Sequence, residues 1–122
     1  MKSKNPLIYL EHISESISLI EKYTKNINKD KFFRYIGTQD KVIRRLEIIG
    51  EAVKNINLPL RTQYSLVPWK KIAGLRDKLI HDYFEVELDL AWEVVRRDIP
   101  ILKKNIIKIK KELISNQLKL KI

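Results

Sequence analysis

The chain of 122 residues contains no cysteine, which excludes disulfide staples and thiolate zinc sites and leaves a reducing compartment open to it. Glycine is scarce, with three residues, and no Gly-rich loop joins a β-alternating stretch to a helix, so Rossmann and P-loop phosphate chemistry is not expected. No apolar run approaches the roughly 20 residues that span a bilayer. The N-terminal MKSKNPLIYLEHISESI starts basic, but Glu11, His12 and Glu15 interrupt it before it reaches signal-peptide length. A soluble, cytoplasmic protein is the expectation. Histidine is also rare: His12 and His81 are the only two, so any imidazole chemistry has few places to sit.

What is present is helical periodicity. The length suits a single domain, residues 1–122, able to bury a core without metal or disulfide support. Apolar residues recur at spacings of three and four almost throughout, which predicts an all-α bundle of about five helices. Asn5 as N-cap with Pro6 in the first turn opens a first helix with the stripe Leu7, Leu10, Ile13, Ile17, Ile20, fading near residues 26–28. A second helix starts near Thr38 and carries Val42, Leu46, Ile49, Val53 and Ile56. Asn57, Pro59 and the polar residues up to Tyr64 form a connector. Pro68 opens a third helix, PWKKIAGLRDKLIHDY, with Trp69, Ile72, Leu75 (or Ala73) and Leu79 inward. A short fourth runs from about Asp89 to Arg97. The last restarts around Asp98 and Pro100 with Ile99, Leu102, Ile106, Ile109 and Leu113 as its apolar side, and residues 114–122 are expected as a frayed basic tail.

The formal charge is +10, and its placement is uneven: from Ile101 to Ile122 seven lysines face one glutamate, so this end carries +6. Such a chain attracts a polyanion such as RNA or an acidic partner surface. A solvated basic helix face accounts for the charge equally well.

The segment GLRDKLIHDYF, Gly74 to Phe84, concentrates the chemistry. At about 100° per residue, Arg76 and Tyr83 project from nearly one angle, and Asp77 and His81 form a strip beside them, while Leu75 and Leu79 face the core. A histidine titrating near neutrality exchanges a proton with a 2′-hydroxyl or a leaving oxygen. An arginine offers a planar fork to phosphate oxygens as their charge grows. Asp77 is placed to orient the imidazole, and Tyr83 to stack on a base or bond a phosphate. The same spacing also suits the polar edge of an ordinary helix. In-line cleavage needs both a base and an acid, and one histidine supplies only one of them; two copies of His81 across a dimer axis would supply both.

Arg76, four residues, His81, one residue and Tyr83 together resemble the signature of HepT, the toxin branch of the HEPN ribonuclease superfamily. RRLEIIGEAVKNI (residues 44–56) resembles that family's second-helix pattern around I-G-E-A, PWKKIAGLRDKLIHDYF (residues 68–84) its W-x-x-I-x-G-x-R block, and LAWEVVRRDIPILKKNI (residues 90–106) its closing segment with a D-x-P turn at Asp98–Pro100. The resemblance implies a HEPN bundle, a homodimer with its cleft at the interface, and metal-independent endoribonuclease activity with Arg76 and His81 catalytic. No cofactor or metal is expected. Asp77 stands where HEPN ribonucleases carry a polar residue, often Asn; it could orient His81 or repel RNA phosphate. The resemblance further implies the toxin of a type VII toxin–antitoxin pair, with Tyr83 the residue to which a partner, the MntA minimal nucleotidyltransferase, transfers AMP. A core or helix-end aromatic is the other role open to Tyr83. The competing class is a non-catalytic helical partner or substrate-binding subunit of such a transferase.

Arg44, Arg45, Arg96 and Arg97 are expected to line a positive rim for RNA. Gly50 is read as a point of close helix packing and Gly74 as one where a helix or the partner subunit comes close, Trp69 and Trp92 as core or interface anchors, and Glu51 as either a cleft or a surface carboxylate. His12, between Glu11 and Ile13, shares no motif with His81 and is read as incidental.

Overall fold

The computed structural model describes residues 5–79 and 87–120, and among them every regular element is helical. Helix α1 (Pro6–Thr24) begins as expected: the Asn5 side-chain oxygen accepts from the Leu7 N–H at 3.1 Å, and Pro6 occupies a first-turn position where no donor is needed. It ends before Asn26, whose left-handed φ of 61° is one that asparagine tolerates. Helix α3 (Ile36–Val53) packs along it, and the long α8 (Ile99–Leu120) lies against α1 on another side. The expected stripes form the core. Leu10, Ile13, Ile17 and Ile20 of α1, Val42, Leu46, Ile49 and Val53 of α3, and Leu102, Ile106 and Ile109 of α8 are all buried. At about 1.5–3 kcal/mol per buried aliphatic side chain, these stripes dominate the stability of the bundle.

Two short helices depart from the sequence reading. Helix α2 (Lys29–Arg34) occupies a segment for which no helix was expected, and α4 (Leu58–Gln63) replaces the expected connector. Each is opened by an asparagine cap, Asn28 accepting from the Lys31 N–H at 2.9 Å and Asn57 from the Leu60 N–H at 3.0 Å. Both are held at their junctions with α3. Gln39 donates to the carbonyls of Phe32 and Phe33, closing the end of α2. Arg61 reaches back from α4 to the carbonyls of Ile56 and Val53, satisfying the orphan acceptors at the end of α3.

The expected third helix is divided at Gly74 into α5 (Trp69–Ala73) and α6 (Leu75–Leu79). Gly74 still donates to the Lys70 carbonyl and accepts from the Lys78 N–H, so the axis continues through a local distortion. Trp69 and Ile72 of α5 and Leu75 and Leu79 of α6 are buried, as their spacing predicts. Gly50 of α3 explains how closely the two elements approach: a Cβ built there would lie 2.9 Å from the Ile72 carbonyl oxygen. At Gly74 no other helix of this chain comes as close: a Cβ there would meet only the carbonyls of Lys70 and Lys71, at 3.5 Å or more.

The D-x-P turn is also absent. Helix α7 (Leu88–Glu93) passes into a π-helical segment, Val94–Asp98, and then directly into α8. Pro100 has no N–H and its ring crowds the carbonyl four residues back, and a π turn just upstream lets the helix pass that point without breaking. The Ile99 N–H bonding to the Val94 carbonyl is the signature of that widened turn. Residues 114–120, expected as a frayed tail, continue α8 with exposed side chains. Among the described residues no helix is long and apolar enough to cross a membrane.

Candidate active site

The burial of Leu75 and Leu79 fixes the orientation of α6, and with it the two polar residues between them: Arg76 and Asp77 are exposed. His81 and Tyr83 lie outside the described residues. Arg76 does not stand alone on a convex surface. It forms one wall of an open cleft of about 350 Å³, whose other walls are α1 and α3. From α1 come Tyr9 and His12, three residues apart on one side of the helix. From α3 come Arg44, Glu47, Ile48, Glu51 and Ala52, and from the turn that follows it Asn55, a strip at spacings of three and four that runs beside the buried stripe.

The charges in the cleft are partly compensated. Glu47 lies 3.8 Å from Arg44, and Glu51 lies 3.1 Å from the Lys54 ammonium. The Asn55 amide donates to the Glu51 carbonyl, which leaves its own carbonyl oxygen as an acceptor. Two guanidinium groups from different helices, Arg44 and Arg76, therefore share the cleft with two carboxylates already engaged by cations. An anion the size of a phosphodiester finds planar donors there from two directions.

The other arginines expected at the rim are distributed differently. Arg45 is half-buried on α3 and is not part of this cleft. Arg96 sits in the π-helical segment, its guanidinium 5.2 Å from the centre of the Trp92 ring, and lines a separate groove of about 730 Å³ with Lys25, Lys103 and Lys104. Arg97 pairs with Glu93 at 3.6 Å. Trp92 packs on Phe32 with ring centres 5.2 Å apart, and Trp69 is buried with its indole N–H donating to the Tyr64 carbonyl, so both tryptophans are packing anchors. His12 is the cleft residue that sequence reasoning passed over; its position three after Tyr9, flanking the buried Leu10 and Ile13, was the available signal.

Among the described residues, a helical bundle with an open cleft walled by arginines from two helices, one of them Arg76, the first residue of the R-x4-H-x-Y motif, defines the class: an all-helical domain with a cleft suited to an anion. The family described as "Ribonuclease HepT-like" matches residues 13–109, and the chain belongs to that family. It is 54% identical over 114 residues to the "Gamma-glutamylcyclotransferase and putative RNase" of Methanocaldococcus jannaschii, covering 93% of this chain but 51% of that protein, so it spans about half that relative's length. It is 47% identical over 103 residues to the "Probable ribonuclease HepT" of Thermococcus cleftensis, covering 84% of this chain and 94% of the relative. It is 43% identical over 106 residues to a "Putative RNase" of Caldanaerobacter subterraneus subsp. tengcongensis, covering 87% and 95%. No solved structure matches at the same stringency.

Proposed function

We propose that the chain is a metal-independent endoribonuclease that cleaves RNA by attack of a 2′-oxygen on the adjacent phosphorus, with Arg76 and His81 as its catalytic pair. The observation that carries this is the placement of Arg76: the first residue of the R-x4-H-x-Y segment faces a cleft shared with Arg44, in a chain of the HepT-like family. Arg76 offers its planar donors to the non-bridging oxygens as negative charge accumulates on the phosphorane. His81, five residues on, exchanges the proton of the attacking or the leaving oxygen. Asp77 orients the imidazole. Arg44 adds a second fork for phosphate, and Arg45, Arg96 and Arg97 extend the basic surface along which an RNA strand runs.

The same reading makes the protein the toxin of a toxin–antitoxin pair, a homodimer with the cleft at its interface. An MntA-like nucleotidyltransferase antitoxin transfers AMP to Tyr83 and fills the site with phosphate. In this reading residues 1–122 are one domain. The test is incubation of purified protein with RNA in excess EDTA. Cleavage is expected to persist, and to be lost in both Arg76→Ala and His81→Ala with helicity intact; undiminished cleavage in both variants would sink the assignment. Intact mass after mixing with ATP and the cognate transferase tests the second part, since the mass gain is expected to vanish in Tyr83→Phe.

A further inference from the structure

We infer that the groove between the end of α1 and the start of α8 is a second RNA-binding subsite, which grips the strand by its phosphates away from the cleft where it is cut. This rests on the ribonuclease reading above and assigns Lys25, Lys103 and Lys104, which that reading does not use.

The groove holds about 730 Å³, against about 350 Å³ for the cleft. Four cations line it: Lys25 from the C-cap of α1, Arg96 from the π-helical segment, and Lys103 and Lys104 from α8. The lining holds one carboxylate, Glu21, and it is already taken, since both its oxygens accept from the Lys103 ammonium, at 2.9 and 3.1 Å. Among the described residues no carboxylate lies within ion-pair reach of Lys25, Arg96 or Lys104. Arg96 rests against the Trp92 ring, 5.2 Å from its centre, so its planar fork is ordered before a ligand arrives. Three cations without counter-charge around one groove repel one another, and an entering polyanion relieves that repulsion at each of them.

The rest of the lining selects among anions. An acidic amphipathic helix of a partner protein binds by burying an apolar stripe, and the groove offers little to bury it against. Ile20, Val95 and Ile99 on the floor are 1%, 7% and 3% exposed, which leaves Pro100 and Ile107 as the exposed apolar lining. A flexible polyphosphate chain needs the cations and room for its backbone, and both are present. Arg96 joins the groove to the basic surface assigned to RNA above.

Position then separates gripping from cutting. At about 100° per residue, His12 of the cleft and Glu21 of the groove, nine residues apart, project from opposite sides of α1. They are also about 13 Å apart along its axis, and across a helix about 11 Å wide the two sites stand roughly 17 Å apart. A strand reaches the groove only by extending past the scissile phosphate. The groove therefore adds affinity for long RNA and nothing to the bond-breaking step.

The experiment measures binding of the full chain, by fluorescence anisotropy across a salt series, to a 2′-O-methyl RNA of about 16 nucleotides, the upper end of single-strand site sizes. Such an RNA lacks the 2′-hydroxyl and is not cut. The double variant Lys25→Ala, Lys104→Ala is expected to lower the slope of log affinity against log salt by about 1.4, which at about 0.1 M salt is a loss of roughly 25-fold. Lys25→Arg, Lys104→Arg is expected to keep wild-type affinity. With the matching cleavable RNA the Ala pair should raise KM and leave the rate at saturation unchanged. A control pair on α8 outside the groove, Lys108→Ala, Lys119→Ala, removes the same charge and is expected to cost under about threefold, the remainder being long-range field. The inference is overturned if the groove pair binds within about threefold of wild type with its slope unchanged, which leaves the groove to a ligand other than RNA. A control pair that loses as much as the groove pair, or a saturating rate that falls with the affinity, overturns it equally. Wild-type protein that binds the RNA but cuts none in EDTA would instead remove the ribonuclease reading, and the groove variants play no part in that result.

Discussion

The ion pair between Lys71 and Asp98 ties α5 to the π-helical segment and gives a quantitative test of the packing that carries Arg76. Asp98 is 3% exposed, and its Oδ2 lies 2.7 Å from the Lys71 ammonium, which also reaches Glu93 at 3.1 Å. At that separation the attraction is about 6 kcal/mol with an effective dielectric constant near 20. Desolvation of the carboxylate offsets much of it, and water reaches the lysine, whose side chain is 29% exposed. Replacing Lys71 with Met leaves a buried carboxylate without its cation, which costs about 3 kcal/mol, the lower end for breaking a buried pair. Asp98→Asn should cost less, about 1–2 kcal/mol, because an amide still meets the ammonium and Lys71 keeps Glu93. The double variant Lys71→Met, Asp98→Leu should return to within about 1 kcal/mol of wild type, since neither charge remains to be desolvated. Urea unfolding with an unchanged m-value measures all three. A single Lys71→Met variant that loses under about 1 kcal/mol, or a double variant as unstable as the sum of the singles, would refute the reasoning. The pH dependence has a defined sign. The hydrogen bond to Asp98 holds the Lys71 ammonium above its usual 10.5. The folded state therefore keeps this proton longer than the unfolded chain does, and the contribution is complete below about pH 10.5 and lost as pH rises through the folded value.

Three further outcomes are expected. Gly50→Ala should destabilise despite gaining about 1 kcal/mol of helix propensity, because the new Cβ lies 2.9 Å from a backbone oxygen and overpacking costs about 1–3 kcal/mol; a thermal melt that rises in Gly50→Ala would contradict the close approach of α3 and α5. Tyr64 donates its phenol proton to Glu112, which pushes the phenol up to about 12, with burial and the carboxylate's charge contributing less. Near-UV titration should show one phenol titrating near 12, a step absent in Tyr64→Phe. The bond's contribution to stability is complete between about pH 4.5 and 10; it is lost as pH rises through about 12, and also as pH falls through the Glu112 value, which the same bond holds below the usual 4.5. Arg44→Ala should weaken RNA binding and reduce the slope of log affinity against log salt by about 0.7, the value for one phosphate contact on a single strand; an unchanged slope would take Arg44 out of the RNA path.

The core was legible because its signal is repeated: four or five apolar residues at spacings of three and four identify α1, α3 and α8 independently of any partner. Helices α2 and α4 were not, since six residues hold fewer than two turns and show no period. Their signals were the caps, Asn28 and Asn57, which propensity alone reads as loop residues. The passage from α7 to α8 misled for a different reason. Asp98 and Pro100 both favour a helix start, and the expected break is removed by tertiary structure, with Asp98 drawn inward to Lys71 and the proline accommodated by the π turn.

The cleft illustrates a second kind of information that sequence holds without displaying. Arg44, Glu47, Ile48, Glu51 and Asn55 form a helical strip as regular as the core stripe beside it, and Tyr9 and His12 flank the buried Leu10 and Ile13 in the same way. Each strip taken alone is an ordinary half-exposed helix edge. The apolar stripes make them a site: once Leu10, Ile13, Leu46 and Ile49 pack α1 against α3, the polar strips next to those stripes must also meet. Gly50 then brings α5 close enough to α3 that α6, which follows it, presents Arg76 to the same space. The histidine that looked incidental in the sequence and the arginine of the motif are thus neighbours through core packing, with no spacing between them along the chain to reveal it.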